Sequence, residues 1–410
     1  MRHGWRTGRG DGLGLRAPVR TLLVHNFYQR PGGEDQVFAA EAGLLEARGH
    51  EVLRYSTHND RVSGKSTPSL ARDTVWNGTA YRELRRLVRR TRPRVAHFHN
   101  TFPLISPAAY YAVRAEGVPV VQTLHNYRLL CANALLLRDG RVCEDCLGRT
   151  MPWPGVVHAC YRDSRPASGA VAAMLATHRV LGTWREAVDV YVALTGFARQ
   201  KFIQGGLPEE KIVVKPNFLH PDPGPGDGRG GYVLFVGRLS REKGVETMLR
   251  AWERPGLKAP LKIVGDGPLA PEVRAAAGRL AGVEWLGRQS KAQVLALMKG
   301  ARFMVFPSVW YEGFPMVFAE ASAVGLPMVA SDLGSMSSLV DDGRTGLHFR
   351  PGDAESLASR VVWLLNRPAQ LEYMRRQARR EFETRYTAEE NYRRLMEIYE
   401  LAIERARVRT

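Results

Sequence analysis

The chain has 410 residues, 44% of them apolar, which is too long for one ordinary hydrophobic core and suggests two domains. No run approaches eighteen uninterrupted apolar residues, so the sequence argues against a membrane-spanning helix. With 59 Lys plus Arg against 41 Asp plus Glu, the net charge of +18 asks for an acidic partner such as nucleic acid, anionic lipid or a phosphate-bearing ligand, without choosing among them.

Residues 1–18, MRHGWRTGRGDGLGLRAP, are basic and glycine-rich with no apolar centre, so they read as a disordered leader and not as a secretory signal. The location that follows is cytoplasmic. From there short β-branched runs alternate with helical segments, the pattern of parallel sheets covered by helices. Strands are predicted at 21–26, 52–56, 95–100, 118–126, 190–195 and 212–217, with amphipathic segments at 34–49, 81–90 and 107–117 between them. The loop PGGED, residues 31–35, opens the first helix, where Gly32 and Gly33 can bring backbone amides onto a phosphate or acceptor and Glu34 is a further substrate contact. HFHN sets His97 and His99 at a strand end, read as facing opposite sides, and TLHN ends the neighbouring strand at His125. His99 and His125 are expected to open to one cleft.

All four cysteines, Cys131, Cys143, Cys146 and Cys160, fall inside thirty residues, two of them as CEDC, within an insertion spanning 127–165. Such a set can supply four thiolates to a structural zinc, with reduced thiols and disulfides as the alternatives. PNFLHPDPGPGDGRGG, residues 216–231, is dense in glycine and proline and reads as an interdomain linker. A second strand series follows at 232–239, 261–267, 283–287, 303–308, 327–331 and 345–349. The fold class is therefore α/β, two Rossmann-like doubly wound domains facing across a cleft. Their bounds are 19–217 and 232–385, with linker 218–231 and a last helix, 386–410, packing back on the first domain.

In open parallel sheets ligands bind beyond the carboxyl ends of the strands. After the first strand of the second series comes VGRLSREKG, with Gly237, Arg238 and Lys243; an arginine fork and a mobile lysine can neutralise a diphosphate together. GDGP puts Gly265 and Gly267 at the next exit, LGR puts Leu286 beside the expected nucleotide base, and DDGRTG reads as a turn. The richest stretch is PSVWYEGFPMVFAEASAVGLP, residues 307–327. Pro315 is expected at the first helical position, leaving the Met316 and Val317 amides free for an anion. Glu320 lies about a turn further in and Glu312 sits in the preceding loop, with Gly313 and Phe314 completing the turn. A hydrolase pair needs carboxylates roughly 5–9.5 Å apart, whereas eight residues of continuous helix would separate these by ~12 Å.

Taken in order, PGGED, TLHN, VGRLSREKG, GDGP, LG, the 307–327 segment and DDGRTG resemble the retaining family-4 (group 1) glycosyltransferases of the GT-B fold, over residues 20 to 400. The resemblance implies transfer of a sugar from a nucleoside diphosphate sugar to a glycan or lipid-linked acceptor, with retention of configuration and a leaving phosphate that helps deprotonate the acceptor. It implies that Arg238 and Lys243 bind the diphosphate, Glu320 the ribose, and Glu312 with the 313–317 backbone the sugar and phosphates. His125 lies near the transferred sugar and Gly33 near the β-phosphate. No catalytic metal or other cofactor is implied, in keeping with the missing Asp-x-Asp at a strand exit. One departure is GSMSSLV, with Ser338 where relatives commonly carry a glutamate and Ser335 at a usual glycine. The Cys-bearing insertion is similar to a bacterial subgroup of cell-surface polysaccharide assembly. The arginines of 81–94 then gain a role in holding the enzyme on the anionic inner face of the plasma membrane. The other readings are a synthase acting on a soluble sugar, a phosphorylase, and a non-catalytic nucleotide-sugar binder. Nucleic acid is not an expected partner, since no RNA-stacking or helix-turn-helix signature appears.

Overall fold

A computed structural model of the chain describes residues 18–29 and 32–409. The leader expected over 1–18 therefore lies, apart from Pro18, outside the described residues. The first half runs β1 (Arg20–Phe27), α1 (Gly33–Ala47), β2 (Glu51–His58), α2 (Thr67–Val75), α3 (Gly78–Thr91), β3 (Val95–Asn100), α4 (Ala108–Arg114) and β4 (Val120–Leu124). An excursion follows, built of the short strands β5 (Leu137–Arg138) and β6 (Arg141–Val142) and the helices α5 (Trp153–Val157), α6 (Arg165–Val180) and α7 (Thr183–Glu186). Then β7 (Val190–Ala193), α8 (Gly196–Gln204) and β8 (Ile212–Val214) complete a six-stranded parallel sheet in the order β2-β1-β3-β4-β7-β8.

Local chemistry explains these elements. β3 is buried at all six positions, as expected of a central parallel strand with helices on both faces. α3 starts where the Asn77 side chain accepts from the Thr79 and Ala80 amides, and it buries Ala80, Leu84 and Val88 at helical spacing. It stops at Arg92, whose φ of 44° is left-handed, with Pro93 barring continuation.

Residues 218–231 cross to the second half as irregular chain, and their backbone is not left unpaired: Gly226, Gly228 and Gly230 donate to Val324, Lys299 and Gly300. The second half runs β9 (Val233–Val236), α9 (Val245–Trp252), β10 (Leu261–Val264), α10 (Ala270–Arg279), β11 (Val283–Gly287), α11 (Lys291–Gly300) and β12 (Phe303–Phe306). It continues through α12 (Met316–Ala323), β13 (Met328–Ser331), α13 (Met336–Leu339) and β14 (Gly346–Phe349), in the sheet order β11-β10-β9-β12-β13-β14. The expected pair of doubly wound domains is what forms. In each sheet the chain winds outward one way and then reverses, between β1 and β3 in the first and between β9 and β12 in the second. Those reversals are where a crevice opens at the strand ends.

The tail is three helices, α14 (Ala354–Leu365), α15 (Pro368–Arg385) and α16 (Ala388–Arg409). α16 lays Leu395, Ile398, Tyr399 and Ala402 into a core with Leu23, Val95, Val121 and Val192, which belong to the first sheet. Chain that begins in the second domain thus finishes on the first.

Candidate functional site

Both reversal points open onto one cavity of 490 Å³, within the size range of ligand sites. The second domain supplies the loop after β9 (Gly237, Arg238, Lys243) and the loop after β12 together with the start of α12 (Ser308, Trp310, Glu312 to Val317, and Glu320). The first domain faces it with Gly32, Gly33 and Glu34 at the start of α1 and with His125 after β4. Fourteen sequence-predicted residues therefore meet in one place, drawn from segments up to three hundred positions apart.

Glu312 organises the second-domain wall. It is 3% exposed, and its Oε1 accepts from Lys243 Nζ at 2.7 Å, Ser308 Oγ at 2.6 Å and Trp310 Nε1 at 2.9 Å. An ammonium has three donors, so Lys243 can keep this contact and still offer protons to a ligand. Arg238 is exposed and makes no ion pair among the described residues. Pro315 is not the first helical residue; with ψ at 130° it is the cap before it. The correction leaves the chemistry intact, because Met316 and Val317 become the first two helical residues, whose amides have no carbonyl a turn earlier to bond. Glu320, 9% exposed, sits one turn further along, and burial raises its carboxyl above the usual range, opposed by Lys291.

The two domains touch across this turn. A side chain at Gly313 would come within 3.1 Å of the His125 carbonyl oxygen, Asn217 Nδ2 donates to the Phe314 carbonyl at 3.2 Å, and Thr195 and Ser335 share a hydrogen bond of 2.8 Å. Ser335 therefore ties the domains together. Ser338, at the position of the usual glutamate, donates to the Ser335 carbonyl and does not line the cavity.

Four predicted contacts lie elsewhere. His99 is buried behind His125, its Nδ1 3.0 Å from His125 Nε2, so only one of the pair reaches the cleft. Burial lowers both imidazoles well below the usual range. His97 does not face away from His99 as the sequence reading had it: the rings are 4.4 Å apart, because residues two apart on a strand share a face. Gly265 and Gly267 pack on backbone, where added Cβ atoms would fall 1.8 Å from the Gly237 oxygen and 2.5 Å from the Leu239 oxygen. They shape the Arg238 loop from behind. Leu286 packs into the second domain's core and does not line the cavity.

Behind the histidines is a buried charge. Lys215, 1% exposed, holds Glu41 Oε1 and Asn391 Oδ1, both at 2.6 Å, and Glu41 Oε2 lies 3.5 Å from His99 Nε2. Glu41, His97 and His99 are the described residues whose ligand atoms cluster within metal-holding distance, but a lysine already occupies Glu41. The four cysteines are free and form no such cluster among the described residues. Four sulfurs around zinc would sit within about 3.8 Å of one another, given Zn–S near 2.3 Å. The four thiols share one neighbourhood, where burial raises Cys146 and the charges of Cys131, Cys160 and Cys143 add to it, but their sulfurs are not closed to that spacing.

Sequence reasoning missed Gln36, Asn217, Ser308 and Trp310 as lining residues. Ser308 and Trp310 lie inside the singled-out 307–327 segment, while Asn217 is the last residue of the strand predicted at 212–217 and carries no motif of its own.

These features have a family. The chain belongs to the group 1, family 4 glycosyltransferases: the Glycosyltransferase Family 4 model matches residues 31–222 and the Glycosyl transferases group 1 model residues 230–367. It is similar to the D-rhamnosyltransferase WbpZ of Pseudomonas aeruginosa, 37% identical over 161 residues covering 38% of this chain and 42% of that one. It is also similar to the phosphatidyl-myo-inositol mannosyltransferase of Mycobacterium leprae, 31% identical over 45% of this chain and 52% of the other. The chain spans about half the length of the curated relatives it matches. Among solved structures, Anabaena HepE in complex with UDP-glucose superposes with a TM-score of 0.64 over 92% of this chain and 98% of that one, at 16% identity. That likeness concerns the fold, which is GT-B.

Proposed function

We propose that this protein is a retaining, metal-independent glycosyltransferase that moves a sugar from a nucleoside diphosphate sugar to a glycan or lipid-linked acceptor, in bacterial cell-surface polysaccharide or glycolipid synthesis. The observation that carries the reading is the convergence, on one interdomain cavity, of Arg238, a Lys243 held by Glu312, and the unpaired amides at the start of α12. A diphosphate fits that combination of fixed and mobile positive charge. The relatives' names, a rhamnosyltransferase, a mannosyltransferase and a UDP-glucose complex, support a nucleotide-sugar donor.

In this reading the diphosphate lies on the Met316 and Val317 amides between Arg238 and Lys243, and Glu320 accepts hydrogen bonds from the ribose hydroxyls. The transferred sugar lies toward Gly33 and His125. As the bond from the anomeric carbon to the diphosphate breaks, its electron pair goes to the β-phosphate oxygen, where the two cations stabilise it without reorganising. Glu312 keeps Lys243 in position for that moment. The acceptor adds from the same face, giving retention. The basic face of α3 holds the enzyme at the cytoplasmic face of an anionic membrane.

The test is a screen of nucleotide sugars for thermal stabilisation and slow hydrolysis, followed by NMR assignment of the product anomer. Stabilisation by at least one donor and a product of unchanged anomeric configuration are expected; an inverted product removes the retaining mechanism, and no response to any donor removes the reading.

A further inference from the structure

We propose that Glu34 receives the acceptor: its Oε2 takes the hydrogen bond of an uncharged sugar or polyol hydroxyl and aims that hydroxyl at the donor's anomeric carbon. The proposal rests on the transferase reading above. Glu34 lines the cavity from the first-domain side, across from Lys243 and Glu312. Asn126 Nδ2 reaches its Oε1 at 3.5 Å and also approaches the Tyr28 hydroxyl at 3.4 Å. The Tyr28 hydroxyl also bears on the carboxyl, yet its other oxygen, Oε2, is out of solvent with no described residue in hydrogen-bonding geometry. A buried carboxylate oxygen left unpaired is costly, and a ligand hydroxyl supplies the missing donor.

The placement of charge selects the ligand's class. The cations lining the cavity, Arg238 and Lys243, both stand on the second-domain wall, where a diphosphate would be held. The Glu34 side of the cavity offers a carboxylate, which repels a phosphate or carboxylate at that point and accepts from a neutral hydroxyl. An acceptor's reacting end is therefore an uncharged hydroxyl, and any phosphate it carries lies outside this subsite. In the step itself the hydroxyl oxygen bonds to the anomeric carbon while that carbon's bond to the diphosphate breaks. The electron pair leaves with the diphosphate, and the hydroxyl proton passes along its hydrogen bond to the Glu34 carboxylate.

Burial, with Asp35 adding to it, pushes the Glu34 carboxyl up to about 7, against Tyr28, Arg128 and Asn126, which lower it. Below that value the carboxyl carries a proton and is a donor where the hydroxyl needs an acceptor. Transfer should then fall as the pH drops through 7.

Hydrolysis of the nucleotide sugar that stabilises the protein most, with water in the acceptor's place, tests this. In Glu34→Gln the amide oxygen stays with Asn126 and an NH₂ faces the subsite, reversing its polarity. The expected result is a loss of about 100-fold in kcat, an unchanged donor KM and nucleotide-induced Tm shift, partial recovery in Glu34→Asp, and loss of the acid limb near pH 7. Wild-type turnover in Glu34→Gln, or a raised donor KM with kcat unchanged, would overturn the proposal. A wild-type protein that hydrolyses no nucleotide sugar overturns instead the transferase reading beneath it.

Discussion

Lys243 stands 2.7 Å from Glu312 and 5.3 Å from the centre of the Trp310 ring, held on one side by a carboxylate and on the other by an aromatic face. On the proposed function its ammonium stabilises the departing diphosphate, so Lys243→Ala is expected to lower turnover by about 10²–10³-fold while the fold survives, since Ser308 and Trp310 still donate to Glu312. Glu320→Ala should likewise abolish turnover, through lost ribose contacts. Full activity in either variant, with the fold verified by circular dichroism, would refute the donor-site assignment. Lys215 is a different case. It is 1% exposed and pairs with Glu41, itself 1% exposed, and breaking such a pair leaves a buried charge uncompensated. Lys215→Ala should cost ~3–5 kcal/mol in denaturant unfolding; a loss below ~1 kcal/mol would mean that water reaches Glu41. The turn from Gly313 to Val317 was legible in the sequence because its parts are consecutive in the chain, whereas Lys243, 69 positions from Glu312, had to be read from its own motif. Lys215 was not legible, since its partners Glu41 and Asn391 lie 174 and 176 positions away.

Among the elements, the loops after β9 and β10 depend on each other. Gly265 has φ of 141°, and a Cβ there would fall 1.8 Å from the Gly237 carbonyl oxygen. Backbone cannot swing aside as a side chain can. Gly265→Ala should therefore displace the Arg238 loop, with about 1–3 kcal/mol from the backbone conformation alone, and weaken donor binding in the same thermal-shift assay. Unchanged donor binding would show that the Arg238 loop can relax alone. Each of the twelve strands of the two parallel sheets was visible in the sequence: central ones such as β3 and β4 are buried throughout and so are short apolar runs, while the edge strand β2 shows as a β-branched and aromatic run. The β5–β6 hairpin was overlooked although it carries a signal: Asp139 and Gly140, with φ of 51° and 72°, form the Asp-Gly turn that two-residue hairpins favour. In that insertion the cysteines carry the plainer sequence signal, and the four come near one another without their sulfurs closing to metal-holding distance.

At the scale of the whole molecule, the +18 charge extends well beyond the cavity. α3 buries Leu84 and Val88 and turns Arg82, Arg86, Arg89 and Arg90 outward, while Arg85 is tied to Glu116 at 2.6 Å. Neutralising Arg82, Arg86, Arg89 and Arg90 together should weaken sedimentation with anionic vesicles at least tenfold and leave neutral vesicles unaffected; unchanged binding would discard the membrane contact. No helix among the described residues is long and apolar enough to cross a membrane, so such contact would be from the surface.

By itself the sequence determined the two wound sheets and the motifs at their exits, since periodicity and glycine placement are local properties that a single chain displays. What only the tertiary structure decided was which exits meet. The cavity joins the start of α1 and the end of β4 to the turn before α12, and His99 recedes behind His125. Those outcomes depend on how the strands are ordered and how the two domains face each other, and no local pattern in the chain encodes them.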